Sequence, residues 1–238
     1  MTMRISEQGK RRRIDRVMVS VLISFLLLPD IAYAQKSATA QSLEKQGMVD
    51  VSALDSTIHV SLMYARPDNF TGKVLYEDLR EAFLHPRAAK ALCEAQRLLR
   101  QKRPELSLKI YDATRPMSVQ TKMWQAVVGT AQQNYVSNPR NGGGLHNYGM
   151  AVDVTLCDAQ TGDTLDMGTK VDFMGVESHI DRESDLVKQH LISQKAADNR
   201  ILLRSVMKQA GFMPLRTEWW HFNLITRAQA RALYKPIR

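Results

Sequence analysis

The sequence predicts one α+β domain with a central, mainly antiparallel sheet and helices packed against it. Short stretches of alternating apolar and polar residues are typical of strands, and longer stretches with apolar residues three and four positions apart are typical of helices. Both patterns occur along the chain. Its 238 residues, 44% of them hydrophobic, are enough to bury one core of ordinary domain size.

The first residues are expected to be an export signal. A basic stretch ending at Arg16 precedes an apolar run at 17–28, and Ala-Tyr-Ala follows at 32–34. This order predicts a secretory signal peptide, residues 1–34, cleaved after Ala34. An uncleaved anchor is the alternative, but the run falls short of the ~20 residues that a spanning helix needs, and the adjacent arginines leave a twin-arginine signal as a third interpretation. We therefore expect a periplasmic or otherwise exported protein without a stable membrane span.

The first half of the remaining chain predicts loops, short strands and one long helix. Residues 35–47 are small and polar and predict a flexible leader, while residues 48–238 are expected to form the folded domain. Pro86 suits a helix start, where its missing N–H costs little, and apolar residues follow at helical spacing as far as Leu99. Two predicted strands and a predicted loop precede this helix, at 49–51, 58–62 and 68–72.

The second half predicts longer elements. Leu106, Leu108 and Ile110 alternate with polar residues and predict a strand that runs into a turn at 112–116. Gly211 tolerates positive φ and suits the end of a helix. The remaining predicted elements are a helix from Ser118 to about Val128, a glycine loop at 141–144, a Val-rich strand at 150–156, a helix at 196–210 and an aromatic, β-branched strand at 218–225.

The charge of the chain does not indicate a nucleic-acid partner. Removing residues 1–34 takes away six Lys and Arg and three Asp and Glu residues, so the formal charge falls from +9 to +6. The remaining basic residues are scattered among acidic ones and form no run with interleaved aromatics, which is typical of a solvated surface. The sequence does not indicate an oligomeric state.

The two cysteines are too few for a disulfide framework. Cys93 lies on the apolar side of a predicted helix and Cys157 follows a predicted strand, where buried free thiols are common. An oxidising compartment would permit one bridge between them. Pairing therefore stays open, with free thiols favoured.

Two separated fragments offer ligands for a catalytic metal ion. His146 and Asp153 are seven positions apart, which is about 23 Å in an extended chain, so the chain must fold back for both to reach one ion. Gly144 and Gly149 provide backbone freedom for that fold-back. Imidazole nitrogen and carboxylate oxygen both suit Zn²⁺, and three protein ligands plus a water form the catalytic arrangement.

The third ligand is predicted in the sequence Glu-Trp-Trp-His at 218–221. His221 would bind the metal, and Glu218 would serve as base. Residues i and i+3 of a regular strand face opposite ways, so a turn or bulge is predicted at Trp219–Trp220. The alternatives are that Asp153 caps a turn and that Glu218 pairs with Arg216. No role is assigned to three isolated histidines, His59, His85 and His190.

These motifs carry a family resemblance. The two main ones are Gly144-x-His146-x2-Gly149-x-Ala151-x-Asp153 and Glu218-x-Trp220-His221. Further matching segments are Met63-Tyr64-Ala65, Asn69-Phe70-Thr71-Gly72, Asp112-Ala113-Thr114-Arg115-Pro116, Leu165-Asp166-Met167-Gly168-Thr169, Asp172-Phe173 and Ser178-His179. Together, from Met48 to Tyr234, they resemble the VanX-type D-alanyl-D-alanine dipeptidases, relatives of the zinc D,D-carboxypeptidases and of the Hedgehog signalling domain.

The resemblance implies a Hedgehog/DD-peptidase-like fold and one Zn²⁺ per chain. The implied metal ligands are His146, Asp153 and His221. It also implies acid and base catalysis by Glu218 and polarisation of the scissile carbonyl by Arg115, whose replacement by alanine is expected to fold normally and be nearly inactive. Asp172 resembles the carboxylate that receives the free amino group of a dipeptide, with help from Tyr64. Gly144 departs from the serine that the family usually has there, and this puts affinity or dipeptide choice in doubt.

The expected activity is zinc-dependent hydrolysis of the dipeptide D-Ala-D-Ala to free D-alanine in the bacterial cell envelope. One alternative is a D,D-carboxypeptidase that trims peptidoglycan stem peptides. Asp172 separates the two, because a carboxylate at the amino-terminal subsite favours a free ammonium group over an extended substrate. The other alternative is a zinc-bearing binding module without catalysis, against which Glu218 and Arg115 argue.

Overall fold

The computed structural model describes Met1 and residues 36–238. The predicted signal peptide lies outside these residues apart from Met1 and remains a prediction. The strands are β1 (Val49–Asp50), β2 (His59–Val60), β3 (Phe83–Leu84), β4 (Leu106–Asp112), β5 (Ala151–Asp158), β6 (Met213–Leu215) and β7 (Glu218–Asn223). The α-helices are α1 (Ala38–Lys45), α2 (Val51–Leu54), α3 (Pro86–Lys102), α4 (Met117–Val127), α5 (Glu183–Lys188), α6 (Gln194–Gln209) and α7 (Arg227–Leu233).

A five-stranded sheet in the order β2-β4-β5-β7-β6 forms the centre of the domain. β2 runs parallel to β4, and the three other pairs are antiparallel. A separate antiparallel pair joins β1 and β3. The predicted α+β class with a mainly antiparallel sheet is confirmed.

The helix that begins at Pro86 shows how the spacing of apolar residues predicts a long helix. Pro86 is the first residue of α3, and the side chain of His85 caps the helix by accepting the Arg87 N–H. The residues of α3 that lie three or four apart on one face are fully buried against β4 and α6, namely Ala88, Leu92, Ala95 and Leu99. α6 ends before Gly211, whose φ of +93° matches the predicted helix end.

The expected flexible leader is wrong for most of its length. Residues 38–45 form α1, which Ser37 caps by accepting the Ala40 N–H at 3.1 Å. Ala40 and Leu43 are fully buried in the main core. Two apolar residues three positions apart are enough to anchor a two-turn helix, although the segment reads as small and polar.

Two further expectations concern a disulfide bridge between the cysteines and a membrane-spanning helix. Cys93 is half-buried, Cys157 is buried, and both are free thiols. No helix in the described part of the chain has the length and apolar character to cross a membrane.

Candidate active site

Three neighbouring strands place acidic and imidazole side chains in one row. Asp112 at the end of β4 pairs with Asp153 in β5, and Asp153 pairs in turn with His221 in β7. Cross-strand partners point to the same face of a sheet, with Cβ atoms about 5 Å apart. The sheet therefore fixes two of the three predicted metal ligands, Asp153 and His221, side by side.

His146 reaches this row from the turn before β5. It lies in a 3₁₀ turn, Leu145–Tyr148, which ends at Gly149 with φ +64°. A Cβ at Gly149 would lie 2.8 Å from the backbone nitrogen of His85, so both conformation and space require glycine. The chain folds back between His146 and Asp153, as their spacing predicted.

Bonds to two other segments hold this turn. The Arg115 N–H donates to the His146 carbonyl at 3.0 Å, and Asn147 Nδ2 donates to the Arg115 carbonyl at 2.7 Å. The Ile237 N–H donates to the Asn147 carbonyl at 2.7 Å, while the Ile237 carbonyl accepts the Met117 N–H at 2.9 Å. Residues near the carboxyl end of the chain thus fasten the His146 turn to the turn after β4.

The hydrogen bonds of both imidazoles leave one lone pair of each ring directed at Asp153. His146 Nδ1 donates to the Ala113 carbonyl at 2.7 Å, which leaves Nε2 unprotonated. His221 Nε2 donates to Asn223 Oδ1 at 2.8 Å, which leaves Nδ1 unprotonated. His146 Nε2 lies 3.1 Å from His221 Nδ1 and 3.3 Å from Asp153 Oδ1. His221 Nδ1 lies 3.0 Å from Asp153 Oδ1.

A divalent metal ion fits these three atoms. Ligands bonded to zinc at about 2.0–2.1 Å in tetrahedral geometry are about 3.3 Å from one another, which is close to the observed separations. Burial raises the pKa of Asp153, but His146 and His221 outweigh burial and hold this pKa below its ordinary value. Three converging electron pairs, one of them on a charged carboxylate, repel one another unless a cation lies between them. The cluster is therefore a candidate metal site of the predicted composition.

Glu218 faces the same pocket as His221 because β7 is irregular. The pairing of β6 with β7 shifts by three residues before Leu215, which pairs with Glu218. This shift leaves residues 219–221 opposite no residue of β6. The bulge predicted at Trp219–Trp220 is thereby confirmed, and it brings residues i and i+3 to one side.

The half-buried carboxylate of Glu218 makes no hydrogen bond or ion pair with the residues that the structure describes. Arg216, its alternative partner, pairs with Asp181 instead, at 3.1 Å. Burial raises the pKa of Glu218 to about 7, and the Asp153 and Asp172 carboxylates add to the rise. A carboxyl group with this pKa can accept and return a proton near neutral pH.

All of the predicted site residues line one pocket with a volume of about 330 Å³. These residues are Tyr64, Arg115, Gly144, His146, Asp153, Asp172, Glu218 and His221. Apolar side chains form other parts of its wall, among them Phe70, Met174 and Trp220. The volume is at the small end of the range for ligand sites, which favours a ligand of few atoms.

Arg115 presents a fixed cation to this pocket. Its Nε and Nη2 donate to Asp112 Oδ2 at 3.0 and 2.5 Å, and its Nη1 donates to Gln120 Oε1 at 3.0 Å. Asp112 is fully buried and also accepts the Tyr76 hydroxyl at 2.6 Å. The guanidinium group lies 5.1 Å from the centre of the Tyr64 ring. Arg115 is therefore held by a buried carboxylate, unlike an arginine in a surface ion pair.

Asp172 adopts a backbone conformation that is uncommon for residues other than glycine, with φ +66°. Its Oδ2 accepts the hydroxyl of Tyr64 at 2.8 Å. Burial raises the pKa of Asp172 to about 7, with a further contribution from the Asp153 carboxylate. The residue thus offers the pocket a carboxylate for which a cationic partner would be favourable.

Arg200 of α6 holds the segment that carries Asp172. Its side chain is only 1% exposed, and its Nε and Nη1 donate to the carbonyls of Met167 and Glu177 at 2.7 and 2.9 Å. Its guanidinium group also lies 5.5 Å from the centre of the Trp219 ring. Because the two carbonyls flank Asp172 along the chain, Arg200 restrains both ends of this segment.

Ser137 fills the space beside Gly144. A Cβ at position 144 would lie 2.9 Å from the Ser137 hydroxyl, closer than such contacts occur in proteins. Both residues line the pocket. The segment around Ser137 therefore supplies a hydroxyl group at the place where Gly144 has none.

Comparison with known proteins shows to which family the chain belongs. Residues 44–236 match the family described as D-ala-D-ala dipeptidase. The chain belongs to this family. It is therefore an enzyme, a metallopeptidase of the D-ala-D-ala dipeptidase family.

Three curated relatives carry the same name, D-alanyl-D-alanine dipeptidase. The Escherichia coli protein is 36% identical over 177 residues, which cover 74% of this chain and 84% of that protein. The Enterococcus faecalis protein is 32% identical over 182 residues, covering 68% and 83%. The Streptomyces coelicolor protein is 31% identical over 194 residues, covering 73% and 89%.

Sequence reasoning missed several residues of this dipeptidase-family site. Asn223, which fixes the tautomer of His221, could have been found, because residues two apart in a strand face the same side. For Asp112, the sequence predicts a place in a turn and in a segment that matches the family, but no role of its own. Ser137 and Arg227, which also line the pocket, carry no signal in the sequence that separates them from surface residues.

Proposed function

We propose that this chain hydrolyses the dipeptide D-Ala-D-Ala to free D-alanine in a zinc-dependent reaction. The observation that carries the proposal is the convergence of three lone pairs, from His146, Asp153 and His221, in one small pocket. Beside them lies the Glu218 carboxylate, which has no partner among the described residues. The names of the relatives support the choice of substrate.

His146, Asp153 and His221 would hold the zinc ion. Two nitrogen ligands and one oxygen ligand suit this metal and leave a fourth position for water or substrate. When bound, zinc supplies Lewis acidity, which favours deprotonation of water and polarises a carbonyl group.

Glu218 moves the protons of the reaction. It accepts a proton from the attacking water and returns it to the leaving amine, for which a pKa near 7 is well matched. Arg115 stabilises the negative charge that develops on the carbonyl oxygen, because its guanidinium group is already oriented by Asp112 and Gln120.

Asp172 and Tyr64 would bind the free ammonium group of the dipeptide. Burial raises the pKa of Asp172, and the ammonium group would counteract this effect by favouring the charged form of its carboxylate. An amino-terminally extended stem peptide has no ammonium group at this position, so the carboxylate would stay unpaired in the complex. This argument favours the dipeptidase over a D,D-carboxypeptidase, the second candidate.

We also propose that the protein acts outside the cytoplasm of a bacterial cell. The order of basic, apolar and small residues in positions 1–34 supports export. Amino-terminal sequencing of the protein secreted by its host tests this part, with Gln35 expected as the first residue.

One assay tests the activity. The purified protein is loaded with one equivalent of zinc and incubated with D-Ala-D-Ala, L-Ala-L-Ala and a pentapeptide ending in D-Ala-D-Ala, and free alanine is measured. Alanine from D-Ala-D-Ala alone supports the dipeptidase. Release from the pentapeptide would indicate the carboxypeptidase, and no release from any of the three would indicate a binding module.

A further inference from the structure

Arg115 and Arg227 are the only arginine or lysine side chains among the described residues that line the pocket. Arg115 already makes three hydrogen bonds, to Asp112 and Gln120. Arg227 pairs with no carboxylate in the described part of the chain, and its one hydrogen bond runs from Nη2 to the Ser137 hydroxyl at 3.0 Å. The remaining N–H groups of this guanidinium are therefore available to a ligand.

Ser137 is fixed in place by the same network that orients Arg115. The Ser137 carbonyl accepts Gln120 Nε2 at 2.7 Å, while the other end of the Gln120 amide holds Arg115. Gln120 is fully buried, so this connection is shielded from water. The Ser137 oxygen accepts from Arg227, and its own O–H can donate to another acceptor.

Gly144 leaves open the space that this hydroxyl occupies. Any side chain at position 144 would meet the Ser137 oxygen at 2.9 Å, so glycine at 144 and serine at 137 are compatible where two larger residues would clash. Ser137 and Arg227 thus form one donor pair in the pocket wall, with a hydroxyl proton and several guanidinium protons to offer.

We propose that Ser137 and Arg227 form the subsite for the carboxylate group of the substrate. A planar guanidinium group and an adjacent hydroxyl match the two oxygens of a carboxylate. The inference rests on the proposed function, since a free dipeptide carries an ammonium group at one end and a carboxylate at the other. Asp172 fits the first and the Ser137–Arg227 pair fits the second.

The order of the strands separates the two subsites. Tyr64, the partner of Asp172, follows β2, whereas Arg227 begins the helix after β7. Asp153 lies on β5, between these two strands in the sheet order. A dipeptide extends over about 7 Å, and its scissile bond lies between its two charged ends. Binding at both subsites would place that bond over the metal cluster.

Substrates and variants that differ in one charge test the subsite. Zinc-loaded protein is assayed with D-Ala-D-Ala and with its carboxyl-terminal amide, in which the carboxylate is replaced by a neutral group. Arg227→Met is expected to lower kcat/KM for D-Ala-D-Ala about 10- to 100-fold, mainly through KM, because a charged hydrogen-bonded contact is lost. It should change kcat/KM for the amide by less than about 2-fold. Ser137→Ala should show the same pattern with a smaller loss.

Arg231→Met is the matched control. Arg231 lies one helical turn further along α7, donates to the Asn141 carbonyl and is not among the residues that line the pocket. The Arg231→Met substitution removes the same charge and should leave kcat/KM for both substrates unchanged. Arg227→Lys should recover part of the preference for the carboxylate, since it restores the charge without the planar fork.

The outcomes separate this inference from the proposed function. An Arg227→Met variant that keeps the wild-type preference for D-Ala-D-Ala over its amide overturns the subsite, while the dipeptidase function stands. Equal losses on both substrates also overturn it, because they indicate a structural role. If the wild-type protein cleaves no D,D-dipeptide, the proposed function fails, and the subsite fails with it.

Discussion

Asp153 and His221 are direct cross-strand partners in β5 and β7, and His221 Nδ1 lies 3.0 Å from Asp153 Oδ1. Two metal ligands are therefore held by the central sheet, whereas His146 is held by a turn that depends on bonds to Arg115 and Ile237. Loss of the metal should thus affect the His146 turn more than the sheet.

Removal of the metal is expected to abolish hydrolysis and lower stability. A ligand present at 100 times its dissociation constant stabilises the folded state by about 2.7 kcal/mol, and this contribution is lost on chelation. Thermal unfolding and activity are measured before chelation, after it and after readdition of zinc. Hydrogen exchange should rise most in residues 144–149. Full activity in protein shown by metal analysis to be metal-free would contradict the proposed role of the cluster.

Glu218→Gln is expected to lower kcat by about 10²- to 10⁴-fold, because proton transfer to and from water is lost. KM and the metal content should stay near wild-type values, since Glu218 makes no hydrogen bond within the described residues. Steady-state kinetics and metal analysis check both expectations. Glu94→Gln, which breaks a surface ion pair with Arg97, is the control and should behave like wild type. A Glu218→Gln variant with full metal content and full activity would show that Glu218 is not the general base.

Arg115→Ala is expected to lower turnover by about 10²- to 10³-fold. The sequence predicts normal folding of this variant, whereas the structure predicts a loss of stability, because Asp112 beneath Arg115 is fully buried. An uncompensated buried carboxylate should lower the free energy of unfolding by about 3 kcal/mol. The double variant Asp112→Asn/Arg115→Ala should recover stability in denaturant unfolding but not activity. If the double variant were as unstable as Arg115→Ala, the lost stability would have another cause.

Asp172→Asn is expected to change how stability depends on pH in the metal-free protein. Burial raises the folded-state pKa of Asp172 to about 7, above its ordinary value near 4. The contribution of this group is therefore fully present below about pH 4 and lost as the pH rises to about 7. The variant should match wild type near pH 3.5 and be more stable at pH 8, where wild type carries the buried charge. Denaturant unfolding at both pH values measures the difference, and a constant difference would argue against the raised pKa.

Arg200→Met is expected to raise KM for D-Ala-D-Ala several-fold, because the segment around Asp172 loses its bonds at Met167 and Glu177. A double-mutant cycle with Asp172→Asn should be non-additive, as expected for residues that act on one contact. Arg204→Met is the control. It breaks an ion pair with Glu183 one turn further along α6 and should lower stability without changing KM. Additive effects of the Arg200 and Asp172 replacements would refute the coupling.

The metal cluster and its geometry were predictable to a considerable extent. The glycines around His146 required a fold-back, and the spacing of Glu218 and His221 required the bulge that β7 contains. Both predictions followed from backbone geometry over a few residues. The long helix α3 was predictable for the same reason, since its buried face repeats over about three turns.

Features that depend on contacts between distant segments were not predictable. The role of Asp112 depends on the register of β4 with β5, and the Ser137–Arg227 pair joins residues on separate elements. α1 was missed because only two of its side chains, Ala40 and Leu43, are buried in the core. In each case the decisive partner lies far away in the sequence.

The bond between Ile237 and Asn147 sets an order of events during biosynthesis. The turn with His146 leaves the ribosome well before the backbone group of Ile237 that holds it. A nascent polypeptide from which residue 237 has not yet emerged therefore lacks a bond that holds the His146 turn in the folded protein.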